Sequence, residues 1–120
     1  MEFHAHIYYE PSTRSSAGAL RERLLRCEIP GLMIGLLQDS LRGPHLRPMF
    51  ELHFASGLFS EVVQWLLFNR GVHQVLVHAV TGHDPLDHGR HALWLGEHLP
   101  LDVTKLDAPS PGWCEMQPVY

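Results

Sequence analysis

Lysine is almost missing from this chain. Lys105 is its only lysine, nine Lys plus Arg face thirteen Asp plus Glu, and the formal net charge is −4. A basic stripe of the kind that tracks phosphate backbones is therefore not available, and nucleic acid is not an expected partner. Cysteine is scarce as well: Cys27 and Cys114 are too few and too far apart for a disulfide framework or a thiolate metal site. No apolar run approaches the roughly 20 residues of a membrane span, and the first residues lack a basic segment followed by an apolar one. The expectation is a soluble, cytoplasmic protein with no membrane partner. Internal repeats and low-complexity segments are also lacking, and 45% hydrophobic residues in 120 suffice for one packed core.

Histidine is abundant instead. Ten histidines outnumber all the lysines and arginines together, and they are scattered rather than tagged on in a run. The stretch Phe3-His4-Ala5-His6-Ile7-Tyr8-Tyr9 alternates with period two and reads as a strand. His4, His6 and Tyr8 then share one face, and Phe3, Ala5, Ile7 and Tyr9 supply the core face. Two imidazoles side by side on a rigid element suit a metal or acid/base site.

The rest of the chain reads as alternating elements. A helix before Pro30 is expected from Leu20, Leu24 and Cys27 at i, i+4 and i+7. Leu32 to Leu37 is a short apolar strand, and His45 to Phe54 is a third strand with Phe50, Leu52 and Phe54 on one face and Met49, Glu51 and His53 on the other. Leu58, Val62, Trp65 and Leu66 form the stripe of a second helix, closed by Gly71. Gln74 to Val80 is a fourth strand. The order β-α-β-β-α-β predicts an α+β, ferredoxin-like antiparallel sheet with both helices on one face. A C-terminal extension follows: a short helix from His88 to Leu95, capped by Asp87, then an edge strand over Leu101 to Leu106. Residues 1–108 are expected to form the domain, and 109–120 an irregular tail.

With strands one and three taken as parallel neighbours, His4, His6, His45 and His78 gather at one end of the face away from the helices. His88 and His91, at i and i+3 of the short helix, could close over them. Converging neutral imidazoles suit Zn, Fe, Cu or Ni. Glu51, six residues beyond His45, would lie about 20 Å from it at the usual strand rise, so if the site is a two-His-one-carboxylate triad its carboxylate is expected from Asp84 or Asp87. His53, His73 and His98 read as surface or structural residues, Trp65 as core.

These residues carry a resemblance. His4-Ala-His6-Ile-Tyr-Tyr, Gly43-Pro44-His45 with Met49-Phe50, and Val77-His78 leading through Thr81-Gly82 to Asp87-His88-Gly-Arg-His91-Ala-Leu-Trp94-Leu-Gly96 resemble the motifs of the DOPA 4,5-dioxygenase-like family over residues 3 to 106. Two positions depart from it: Ala79 follows His78 where proline is usual, and His83 is an additional histidine. The resemblance implies a ferredoxin-like domain, a homodimer or higher oligomer, and non-haem Fe(II) extradiol cleavage of a DOPA-like catechol with O2. The chemistry it implies points to His6, His45 and His78 as metal ligands, His4 and His88 as acid/base or substrate-orienting groups, and Tyr8, His91 and Trp94 around the substrate. Two other readings of the same residues stand beside it. One is a non-redox protein of the same fold holding Zn, and the other is a ferredoxin-like dimeric binding module with incidental histidines.

Overall fold

The computed structural model describes residues 1–106. The expected tail from 109 to 120, and Cys114 within it, lies outside the described residues. Five strands form one sheet: β1 (Glu2–Tyr8), β2 (Met33–Ile34), β3 (Met49–Ala55), β4 (Val75–Ala79) and β5 (Leu93–Leu95). Their order is β2-β3-β1-β4-β5, and every neighbouring pair is antiparallel. Two long helices, α1 (Arg14–Arg26) and α2 (Phe59–Asn69), and a single turn, α3 (Asp84–Asp87), complete the α+β domain.

The core lies between the helices and one face of the sheet, and alternation builds it. Ala5 and Ile7 of β1, Phe50, Leu52 and Phe54 of β3, and Val75 and Val77 of β4 all point to that face and are buried. Ala17, Leu20 and Leu24 bring α1 onto it, and Val62 and Leu66 bring α2, at the three-, four- and seven-residue spacings of one helical stripe. Each fully buried side chain of this size contributes about 1.5–3 kcal/mol. Trp65 packs at the margin of the same core, with the Arg23 guanidinium 5.9 Å from its ring centroid.

Several expected elements take a different form. β1 and β3 run antiparallel, because the split arrangement makes each strand parallel to the one beyond its neighbour. β3 starts at Met49, so His45 belongs to the preceding loop, where Pro44 and Pro48 interrupt strand pairing. Of Leu32 to Leu37 only Met33 and Ile34 form β2, with Gln38 adding a single bridge to Met49. No helix runs from His88 to Leu95. Pro85 starts the turn early, at Asp84, and after Gly89 the chain turns back so that Leu93–Leu95 pairs with the free edge of β4 as β5. Leu101 makes one bridge, to His45, and Val103–Lys105 is a 3-10 turn rather than an edge strand.

This extension covers part of the second sheet face. Tyr8, Met49, Leu76 and Leu99 form a smaller buried cluster there, flanked by Ala92, Trp94 and Leu101. Gly96 makes the connection possible: its φ is +89°, and a Cβ there would overlap the Gln74 side chain, whose amide oxygen accepts from the Glu97 N–H.

Candidate metal centre

The sheet register arranges the chemistry. On the face away from α1 and α2, His4 pairs with His53 of β3 on one side and His78 of β4 on the other. One pair of residues further along, His6 lies between Glu51 and Leu76, and Tyr8 pairs with Met49. His45 reaches this face from its loop, held by the bridge to Leu101 and by the Asp102 N–H donating to the Pro44 carbonyl at 2.7 Å. The extension thus positions His45. His88 follows α3 and lies against His78, His45 and His6, with ring centroids 4.1, 5.7 and 6.0 Å away.

The rings come close. Centroid separations are 4.1 Å for His6 and His45, 5.1 Å for His6 and His78, and 4.1 Å for His78 and His88. His6, His45 and His88 each offer a ligand atom within 4.8 Å of the others, as do His4, His6 and His78. His6 belongs to both trios. His6, His45 and His78 are buried at 3%, 4% and 4% exposure, whereas His4 and His88 are partly exposed.

Hydrogen bonds decide which nitrogen each ring can give. The Nδ1–H of His78 donates to the Ala79 carbonyl and that of His88 to the Asp84 carbonyl, each at 2.9 Å. Nδ1 of His6 lies 3.1 Å from the Met49 sulfur, which can only accept. In all three rings the proton sits on Nδ1, and Nε2 carries the lone pair. His45 Nδ1 is 2.6 Å from the Tyr8 hydroxyl, which can accept as well as donate, so the same tautomer is open to it. Partners on the outer nitrogen orient metal-binding histidines in this way.

Burial also keeps His6, His45 and His78 neutral. It lowers the His6 pKa well below its ordinary value, with His45, His78, His88 and His4 adding to the effect. Burial pushes His78 down to about 3 against the opposing pull of the Ala79 carbonyl, and His45 down to about 4 together with His88. His4 is lowered by burial and then by His53, against Glu51 and Glu2. Burial and Glu51 raise the Tyr8 phenol far above its usual range, so it stays protonated.

Nε2 of His6 and Nε2 of His78 lie 3.0 Å apart. With Nδ1 protonated in both rings, two lone pairs face each other, an arrangement that a shared proton or a bound cation resolves. Two nitrogens bound to one ion at about 2.0–2.1 Å would be about 3.0 Å apart at a right angle and about 3.4 Å in a tetrahedron. The residues therefore fit a metal.

The other expected residues are placed as follows. Tyr8 stacks on Trp94, with centroids 5.9 Å apart, and the Trp94 indole N–H is buried without a hydrogen-bond partner among the described residues. His91 is exposed on the turn, parted from His88 because α3 ends before it. Asp87 gives both carboxylate oxygens to Thr81, accepting from its N–H at 2.9 Å and its hydroxyl at 2.7 Å. Neither Asp84 nor Asp87 belongs to the metal-competent groups. Glu51, expected to be remote, is the cross-strand partner of His6. His73 is locked between the Ser16 hydroxyl and the Tyr8 carbonyl, at 2.9 Å from each. Met49, Glu51 and His53 were legible as one strand face, but only the antiparallel register brings that face to β1.

An open antiparallel sheet, with helices on one face and converging neutral imidazoles on the other, defines the class: a ferredoxin-like α+β domain with a metal-competent histidine centre. The sequence matches the Dopa 4,5-dioxygenase family over residues 3–105, and the chain belongs to that family. A DOPA 4,5-dioxygenase from Amanita muscaria is 29% identical over 116 residues, covering 91% of this chain and 51% of that protein. An uncharacterized 21.2 kDa protein from Botryotinia fuckeliana is 35% identical over 112 residues, covering 85% and 61% respectively. The chain thus spans between half and two thirds of the length of these relatives. A crystal structure from Nostoc punctiforme, provisionally described as a dioxygenase, superposes with a TM-score of 0.79 at 36% identity, covering 86% of this chain and 88% of that one. No helix among the described residues is long and apolar enough to cross a membrane.

Proposed function

We propose that this protein is a non-haem Fe(II) dioxygenase that opens the ring of a catechol by extradiol cleavage. The observation that carries the reading is the 3.0 Å approach of the His6 and His78 Nε2 atoms, both deprotonated, in a chain of this family. His6, His45 and His78, the three deeply buried imidazoles, are the ligands in this reading; by distance His6 groups with His45 and His88 on one side and with His4 and His78 on the other. Bound Fe(II) would supply a Lewis acid with exchangeable positions for both catechol oxygens and O2. Both oxygen atoms end in the product, so no external reductant is required.

The chain's own residues do the rest. His88 is the more accessible imidazole, its Nε2 carries a lone pair, and its ring lies against His78. It accepts a catechol proton and returns it later, as a general base and then a general acid. The Tyr8 and Trp94 rings stack on each other at one side of the centre, and the unpartnered Trp94 N–H is a donor for a substrate oxygen. Leu99 and Leu101 help keep water from this side of the centre.

The test is anaerobic loading with Fe(II), followed by L-DOPA or a caffeate-like catechol in air, with absorbance and dissolved O2 recorded together. A yellow ring-opened product with one O2 consumed per ring is expected. His6→Ala is expected to lose both retained iron and product by more than 100-fold while keeping its circular dichroism spectrum. Iron retained by His6→Ala, or no product across a catechol panel, would overturn the reading.

A further inference from the structure

One more histidine is deeply buried, outside the metal-competent groups. His73 is 2% exposed and lies in the connection between α2 and β4. Its Nδ1–H donates to the Tyr8 carbonyl at 2.9 Å, and its Nε2 accepts from the Ser16 hydroxyl of α1 at 2.9 Å. A carbonyl can only accept, so the proton sits on Nδ1. The backbone of His73 is held as well. Its N–H donates to the Arg70 carbonyl at 3.1 Å, and its carbonyl accepts from the Arg70 guanidinium at 3.4 Å.

We propose, resting on the Fe(II) reading of the centre, that His73 is a positioning residue that acts through Tyr8 on His45. Tyr8 is the last residue of β1, and its backbone is pinned on both sides of its Cα. The N–H donates to the Gln74 carbonyl at 3.0 Å, and the carbonyl takes the His73 proton. The hydroxyl of the same residue is 2.6 Å from His45 Nδ1. A phenol oxygen stands about 6.5 Å from its own Cα, so a rotation of about 10° there moves the hydroxyl by about 1 Å. Groups that orient a metal ligand must be held to within about 0.5 Å. Losing the carbonyl contact therefore loosens the hydroxyl that orients His45 and changes no atom of the centre itself.

The two side-chain contacts of His73 are separable by substitution. An asparagine amide can place an N–H where Nδ1 stands, whereas a glutamine amide reaches the Nε2 position and the Ser16 hydroxyl. The experiment measures Co(II) affinity by chelator competition, and the His45 tautomer by the ring-nitrogen NMR shifts of the metal-free protein at neutral pH. His73→Leu is expected to weaken Co(II) binding by about 3–10-fold and to turn a single His45 tautomer into a mixture. His73→Asn is expected to bind as wild type does, and His73→Gln to lose as much as His73→Leu. Ser16→Ala frees α1 and leaves the Tyr8 contact, so it should lower stability and leave affinity unchanged. In a Tyr8→Phe background no hydroxyl is left to position, and His73→Leu should cost nothing further. Rescue by Gln instead of Asn, an equal loss in Ser16→Ala, or the same loss with and without the Tyr8 hydroxyl would mean that His73 only joins α1 to the sheet, and would overturn the proposal. If His73→Leu does not fold, the Asn and Gln variants decide. Failure of wild type to hold Co(II) would remove the metal centre itself, and the His45 tautomer then decides: one left unchanged by His73→Leu and His73→Gln overturns the positioning role.

Discussion

The Tyr8 hydroxyl and His45 Nδ1 are 2.6 Å apart, and this contact ties the last residue of β1 to a loop with no regular structure of its own. It places the outer nitrogen of a buried imidazole against the one polar atom of a phenol that is itself 2% exposed.

Removing that oxygen is therefore a test of how His45 is oriented. Tyr8→Phe keeps the ring that stacks on Trp94 but leaves His45 Nδ1 without its partner. Metal affinity at the inner centre is expected to fall by about 10–100-fold, the usual cost of losing an orienting contact. Stability should drop by about 1–3 kcal/mol for the orphaned nitrogen. Tyr9→Phe is the control, because the Tyr9 hydroxyl donates to Asp39 on another part of the surface. A chelator-competition titration reads both variants. Equal affinities in the two would show that the Tyr8 contact does not orient His45.

The metal-free protein should lose stability as pH falls. His45 and His78 have folded-state values of about 4 and about 3, below the roughly 6.5 of an unfolded histidine, and His6 is lowered too. Below about pH 6.5 the unfolded chain takes up protons that the folded one refuses, so stability is complete above that value. It is lost progressively as pH falls through 6.5 toward 4 and 3. At pH 5 the loss is about 2 kcal/mol for each of His45 and His78. Urea midpoints measured with chelator at pH 7.5, 6 and 5 should fall in that order. A midpoint unchanged between pH 7.5 and pH 5 would contradict the buried, neutral state of these rings.

Much of this arrangement was legible in the sequence, and the part that was not has a definite physical origin. Period-two alternation put His4, His6 and Tyr8 on one face and Ala5 and Ile7 in the core, because a strand leaves no other choice. The same alternation put Met49, Glu51 and His53 together. Strand direction was misread and His45 was read as part of β3; together these set Glu51 about 20 Å from His45 and away from His6, with which it pairs. His45 reached the cluster for a reason the local pattern does not contain: its loop is held by Leu101 and Asp102, more than fifty residues later. The pair His88 and His91 failed in the opposite way. Their spacing suits a helix, but Leu93 to Leu95 is more stable as a partner for the open edge of β4, and tertiary pairing overrode the local pattern.

Asp87 supplies the last prediction, because it acts on His88 through the loop rather than by touching substrate. It is 1% exposed, and its two oxygens are both engaged by Thr81 at the start of the segment that ends in His88. Asp87→Ala would strand a buried N–H and a hydroxyl, at about 1–3 kcal/mol. It would also release the turn whose Asp84 carbonyl fixes the His88 tautomer. His6, His45 and His78 lie on other elements, so iron content should remain near that of wild type while ring-opening turnover falls at least tenfold. Asp87→Asn keeps one acceptor for the Thr81 N–H and should recover part of the rate. Iron content and turnover measured on the same preparations separate the possibilities: parallel loss of both would mean that the segment shapes the metal centre itself, and retained iron with lost turnover would place His88 in proton transfer.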